Sequence, residues 1–240
     1  MKKSPDEWKV ELEEGAKVSA LLYEGQAPSA GASLVLAHGA GAGQRSTFIV
    51  AFAWALASRG LDVVTFNFLY TEQGRRLPDR RPALETCYNA VIATTRRELP
   101  SARERLFIGG KSMGGRIATH VCAADPKLAI AGLVLLGYPL HPPGRPAQRR
   151  DAHLGDVCRP TLIVQGSRDP FGTPDEFDPV LRSMTPPPTL HVVSGGDHSF
   201  KVARGEGAGQ AVVHEEIQQT IVEWIGRVTR TGPNSHPPHI

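Results

Sequence analysis

Leu106-Phe107-Ile108-Gly109-Gly110-Lys111-Ser112-Met113-Gly114-Gly115-Arg116-Ile117-Ala118-Thr119-His120 is the stretch whose reading decides the rest. An apolar run enters two glycines, a single hydroxyl follows, and two more glycines lead into a helical pattern. That order predicts strand, very tight turn and helix, with Ser112 at the apex. Gly110 to Gly114 matches G-x-S-x-G, the nucleophile elbow, in which a strained serine tolerates no side chain on its close neighbours. The following helix points its first amides at the space above the hydroxyl, where an oxyanion can be stabilised. With 25 glycines in the chain, a five-residue match also arises by chance, so the motif needs partners elsewhere. A Walker A phosphate loop is excluded, because Arg105 stands where that motif requires its first glycine.

The length, 240 residues, suits one substantial core and is short for two domains. Charge is nearly balanced, 27 basic against 24 acidic residues spread along the chain, which does not suggest a nucleic-acid ligand. The N-terminus has no apolar signal-like core and no stretch approaches a membrane-spanning length, so a cytoplasmic protein without a membrane partner is expected. Three cysteines without motif spacing, Cys87, Cys122 and Cys158, read as reduced thiols. Oligomeric state is not legible in the pattern.

Working outward, Trp8 to Leu12 and Lys17 to Tyr23 predict two strands joined by Glu13-Glu14-Gly15. Ser33 to Ala37 is a continuous apolar run, the mark of a strand covered on both sides. His38-Gly39-Ala40-Gly41-Ala42-Gly43 follows it. This loop turns the chain or, if the elbow is real, supplies an oxyanion-hole amide from Ala40 or Gly41, with His38 anchoring it. A helix is expected from Ser46 or Thr47 to about Ser58, with Phe48, Phe52, Ala55 and Leu56 inward, and then a strand from Leu61 to Asn67. In the loop from Phe68 to Pro82, Leu69 and Tyr70 are either a pocket wall or surface packing. Pro82 to Leu99 reads as a helix closed by Pro100. Strands follow at Ile130–Leu136, Thr161–Gln165 and Leu190–Val193, with a short helix at Pro174–Met184 and a closing helix at Gln210–Val228. Strands alternating with helices predict an α/β fold, a mostly parallel sheet with helices on both faces. The interval from Leu136 to Pro160 is too short for a large lid domain. Residues 1–229 are expected to form the domain and 230–240 a polar Pro/His tail.

Asp169 follows one apolar strand and His198 the next. A serine hydroxyl needs a base to take its proton during attack, and the base needs a carboxylate to hold its tautomer. Parallel strands bring their C-terminal ends to one edge, so Ser112, Asp169 and His198 would meet there in the order nucleophile, acid, base. Asp197 adjoins the base and is expected to structure its loop. A metal site built from His38, Asp169 and His198 is the rival grouping, but it leaves the elbow unexplained. The constellation calls for neither metal nor cofactor.

With these residues in place the chain resembles the α/β-hydrolase superfamily, and within it the dienelactone-hydrolase-like group that includes testis-expressed and NSL-complex hydrolase-like proteins. The likeness is carried by His38-Gly39-Ala40-Gly41, Gly109 to Arg116, Gly137-Tyr138-Pro139-Leu140, Gln165-Gly166 with Asp169, and Gly196 to Phe200. The resemblance implies Ser112 as nucleophile, Asp169 as acid, His198 as base, and the Met113 amide as part of the oxyanion hole. It implies hydrolysis of a small ester or related acyl substrate, with thioester, lactone and peptide bonds open to the same residues. A non-catalytic interaction protein on the same scaffold is the alternative. Dienelactone hydrolases proper use cysteine where Ser112 stands, so their substrates do not carry over. Lys111 and Arg116, beside the nucleophile, are candidate substrate contacts or ordinary surface charges.

Overall fold

The computed structural model describes residues 4–203 and 209–231. Its core is one sheet of eight strands in the order β1-β2-β4-β3-β5-β6-β7-β8. β1 (Asp6–Glu11) and β2 (Lys17–Tyr23) form a hairpin whose second strand also pairs antiparallel with β4. The remaining strands run parallel: β3 (Ser33–Ala37), β4 (Asp62–Phe66), β5 (Leu106–Lys111), β6 (Gly132–Leu136), β7 (Thr161–Gly166) and β8 (Thr189–Val193).

Around the sheet lie α1 (Thr47–Ala57), α2 (Leu69–Glu72), α3 (Arg81–Glu98), α4 (Pro100–Glu104), α5 (Met113–Ala124), α6 (Pro174–Ser183) and α7 (Gln210–Thr231). The apolar strand runs explain the layering, since successive side chains alternate between faces. Leu34 and Leu36 join Phe52, Ile217 and Trp224 in one core, beneath α1 and α7. Val35 and Ala37 join Tyr88, Ile117 and Phe177 in the other, beneath α3, α5 and α6. A two-sided sheet of this kind leaves only its strand ends open to a ligand.

Apart from shifts of one or two residues at element ends, three features differ from expectation. α1 buries Ile49, Phe52, Ala53, Leu56 and Ala57, not the stripe through Ala55. Nearly every residue of that helix is apolar, so its sequence does not say which side faces in. Pro100 does not simply close α3; it opens α4, where its missing N–H is one the first helical turn leaves unpaired. α7 continues through Arg230 and Thr231, two residues expected in the tail. The rest of that expected tail, 232–240, lies outside the described residues. Among the described residues no helix is long and apolar enough to cross a membrane. No lid domain interrupts the segment from β6 to β7, which holds only one short helical turn, Leu154–Asp156.

Candidate active site

Ser112 sits between β5 and α5 with φ 51° and ψ −113°, a left-handed conformation that a β-substituted residue adopts only under constraint. The neighbouring glycines are that constraint. A Cβ on Gly110 would lie 2.5 Å from the Ala37 carbonyl oxygen, and one on Gly114 would lie 2.6 and 2.7 Å from those of Ala37 and His38. Backbone therefore passes directly against backbone where the elbow crosses the end of β3. The Ser112 amide donates to Leu136 O at 2.9 Å, tying the apex to β6.

β7 and β8 deliver the other two residues to the same edge. His198 Nε2 lies 2.9 Å from Ser112 Oγ, and His198 Nδ1 lies 2.7 Å from Asp169 Oδ2. Asp169 is 1% exposed. A buried carboxylate needs donors, and it has them. Gln165 Nε2 donates to Oδ2 at 2.8 Å, and the Phe171 amide donates to Oδ1 at 2.8 Å. The Phe171 ring stacks on His198 with centroids 4.1 Å apart, covering one face of the imidazole.

The loop bearing His198 is held from within. Asp197 Oδ1 accepts the amides of Ser199 and Lys201, and its main chain pairs with Phe200 and Lys201. Phe200, at φ 61°, is fully buried beneath the loop. Asp197 thus shapes the turn and does not bond the imidazole.

On the opposite side, the loop after β3 comes close to the serine, with Gly39 lying directly against Ser112. Ala42 N–H donates to Gly39 O at 3.2 Å, so Ala40 and Gly41 occupy the tip of a tight turn. Gly39 and Ala40 line the cleft around Ser112, but Gly41 does not. The Met113 amide is the first of α5, where main-chain N–H groups lack intrahelical partners. His38 is fully buried, its Nδ1 2.8 Å from Gly39 O and its Nε2 accepting from Phe68 N at 3.3 Å. Burial holds its pKa below the ordinary imidazole value, which suits a neutral anchor. Nδ1 is committed to the loop after β3 and Nε2 to the segment after β4, so His38 does not join Asp169 and His198.

The cleft has a volume of about 770 Å³ and is also lined by Met113, Phe171 and Pro139. A wider hollow of about 1170 Å³, beside Arg45 and Trp54, contains none of the Ser112, Asp169 and His198 set. Lys111 and Arg116 both reach the cleft wall. Lys111 is largely enclosed, its ammonium 5.5 Å from the Phe200 ring centre, and burial lowers its pKa to about 8 against the pull of Asp169 and Asp197. Leu69 and Tyr70 are absent from the wall. The helical turn of α2 rotates Tyr70 into the core, where its ring packs against His38 at 6.1 Å, and Leu69 packs against the same core. Tyr70 braces the loop after β3 from behind.

A family model described as alpha/beta hydrolase domain matches residues 30–226, which include the elbow, Asp169 and His198. The chain belongs to the alpha/beta hydrolase family. Solved structures of low identity share the fold across nearly the whole of this α/β-hydrolase. A dienelactone hydrolase from Anabaena variabilis superposes with a TM-score of 0.73 at 20% identity, covering 94% of this chain and 99% of its own. XC6422 from Xanthomonas campestris, described as an a/b serine hydrolase without lid, gives 0.67 at 18% identity and covers 99% of both chains. Est1E from Butyrivibrio proteoclasticus, solved with ferulic acid bound, gives 0.72 at 16% identity, covering 91% of this chain and 99% of its own.

Three residues of this α/β-hydrolase site have roles that a sequence reading misses. Gln165 is part of the family likeness, but nothing in that likeness assigns it the bond to Asp169. Phe171 looks like an ordinary loop aromatic. Arg150 lies in an irregular, proline-rich segment and reaches the cleft only because that segment folds back, its amide on Leu140 O and its carbonyl on the Tyr138 hydroxyl. For Gln165 alone a signal exists: an amide side chain four residues before a candidate buried acid.

Proposed function

We propose that this α/β-hydrolase is a serine hydrolase that cleaves a small ester or related acyl substrate through an acyl-enzyme. The observation that carries the reading is the continuous hydrogen-bonded run from Ser112 Oγ through His198 to Asp169, opening on a cleft. Ser112 attacks the acyl carbonyl while His198 Nε2 takes its proton; Asp169 holds the Nδ1–H tautomer and offsets the charge the ring gains. The amides of Met113 and Ala40 receive the oxyanion, a contribution on the order of 3 kcal/mol per donor to the barrier. The protonated His198 then gives its proton to the leaving alcohol, and in the second half-reaction draws one from the water that releases the acid. Phe171 against the imidazole keeps bulk water off one face of the base.

The descriptions of the structural neighbours as a dienelactone hydrolase and a serine hydrolase support an acyl substrate, and the ferulic acid bound to Est1E is an example of an acid of suitable size. Short-chain p-nitrophenyl esters test the reading. Wild type is expected to turn them over and to react with a fluorophosphonate probe, and Ser112→Ala to do neither while keeping its unfolding midpoint. Equal turnover by Ser112→Ala would remove the serine from the mechanism.

A further inference from the structure

The cleft holds more positive charge than acyl transfer uses. Arg81 at the start of α3, Arg116 on α5 and Arg150 after β6 all face it, from three separate segments. Arg116 stands one helical turn beyond Ser112 on α5 and lines the same cleft, its charge among those of Arg150, Arg81 and Glu85. The three charges feel one another. Burial first, then Arg150 and then Arg81, lower the pKa of Arg116. Arg116 Nε is buried and has no hydrogen-bond partner among the described residues.

Glu85 offsets part of this charge, since it lies 3.2 Å from Arg81 and also attracts Arg116. The other nearby acids are engaged elsewhere, Asp151 being paired with Arg149. Asp79, the one carboxylate on the cleft wall among the described residues, is held by Arg75 at 2.7 Å. His120 and His153, stacked with centroids 3.5 Å apart, are driven to about 3 and about 4, chiefly by burial, then for His120 by His153, and for both by Arg116 and Arg81, so they stay neutral. Partly dehydrated like charges are unfavourable together unless an anion shares their space. Guanidinium forks match the oxygens of carboxylates and phosphates.

We propose, on the basis of the serine hydrolase reading above, that Arg116 and Arg150, with Arg81 as a third, bind a compact oxyanion carried by the substrate, a carboxylate or a phosphate, and so select anionic acyl compounds over neutral ones. The anion sits about one helical turn from Ser112, leaving room for a short acyl chain between the charge and the carbonyl.

Binding needs no turnover, so calorimetric titration of inorganic phosphate and of glutarate into the Ser112→Ala protein comes first. Saturable binding weakened about tenfold or more by Arg116→Gln and by Arg150→Gln, and left intact by Arg145→Gln on the exposed part of the same segment, supports the subsite. The tighter anion identifies phosphate or carboxylate as its source. Absence of saturable binding, or binding indifferent to both arginines, overturns the proposal. Arg150→Gln alters a loop side chain and serves as the folded comparison if Arg116→Gln is unstable.

Turnover supplies the second arm. Wild type is expected to favour p-nitrophenyl hydrogen glutarate over p-nitrophenyl valerate, of equal length, by about tenfold in kcat/KM, and Arg116→Gln to lose that ratio. The Ser112→Ala rate is subtracted because the glutarate ester also hydrolyses unaided. Turnover of valerate without any preference for glutarate overturns the subsite and leaves the hydrolase reading standing. Anion binding without serine-dependent turnover of either ester supports the subsite and overturns the hydrolase reading.

Discussion

Replacing Gln165 with leucine is the most informative single perturbation, because Gln165 joins Asp169 to the framework through hydrogen bonds to three residues, Tyr138, Asp169 and Gly172. Its Oε1 accepts the Tyr138 amide at 2.9 Å, and its Nε2 donates to Asp169 Oδ2 and to Gly172 O, each at 2.8 Å. Leucine fills most of the volume and supplies none of these. A buried amide left unpaired at Tyr138 costs about 1–3 kcal/mol, and the lost bond to an ionised carboxylate costs about 1.5–3 more. After allowance for the apolar burial gained by leucine, a net loss of about 3–5 kcal/mol is expected. Urea unfolding followed by tryptophan fluorescence measures it. The same data, combined with Asp169→Asn and the double variant, give the coupling between the two side chains, expected at about 1–3 kcal/mol. Catalysis is expected to fall as well, since Asp169 then keeps only the Phe171 amide and His198 as partners. A stability loss under about 1 kcal/mol together with zero coupling would refute the view that Gln165 fixes the acid.

Other consequences are sharp enough to measure. Gly114→Ala forces a Cβ to within 2.7 Å of two carbonyl oxygens in a crossing that cannot open, so the variant is expected to lose about 3 kcal/mol or more and most of the ester turnover proposed above; a near-wild-type unfolding midpoint would count against the packing account of the elbow. Asp169→Asn is expected to leave the backbone fold in place, by circular dichroism, and to lower kcat by about three to four orders of magnitude, because the amide no longer selects the required imidazole tautomer. Lys111→Met bears on pH. Burial lowers the folded-state pKa of Lys111 from 10.5 to about 8, so the unfolded chain binds more protons between those values and wild-type stability recovers as pH rises through that window. Below pH 8 the charged lysine opposes folding in full, and methionine there is expected to stabilise by about 2 kcal/mol, less than the whole shift because the side chain partly faces the cleft. The advantage shrinks toward pH 10.5; a stability difference flat across that range would contradict it.

How much was written in the chain follows from which features are local. The glycine spacing around Ser112, the doubly buried strand runs, and an acid and a histidine each placed just past such a run are one-dimensional facts with steric meaning, and parallel strands convert them into a common edge without further information. The elbow, the mostly parallel sheet with helices on both faces, and the meeting of Ser112, Asp169 and His198 were therefore legible; the order of the strands was not. Tertiary packing alone decided which way a side chain turns once its element is docked. Tyr70 went into the core behind His38 because a turn of helix, not an extended loop, follows β4. Gly41 was left off the cleft wall by the pitch of a single turn. Arg150 was brought beside Arg116 from a proline-rich segment that has no period of its own and is held only by contacts with Leu140 and Tyr138. Periodicity encodes faces of regular elements, whereas the convergence of charges from three unrelated segments depends on distances that exist only after the sheet and its helices have closed.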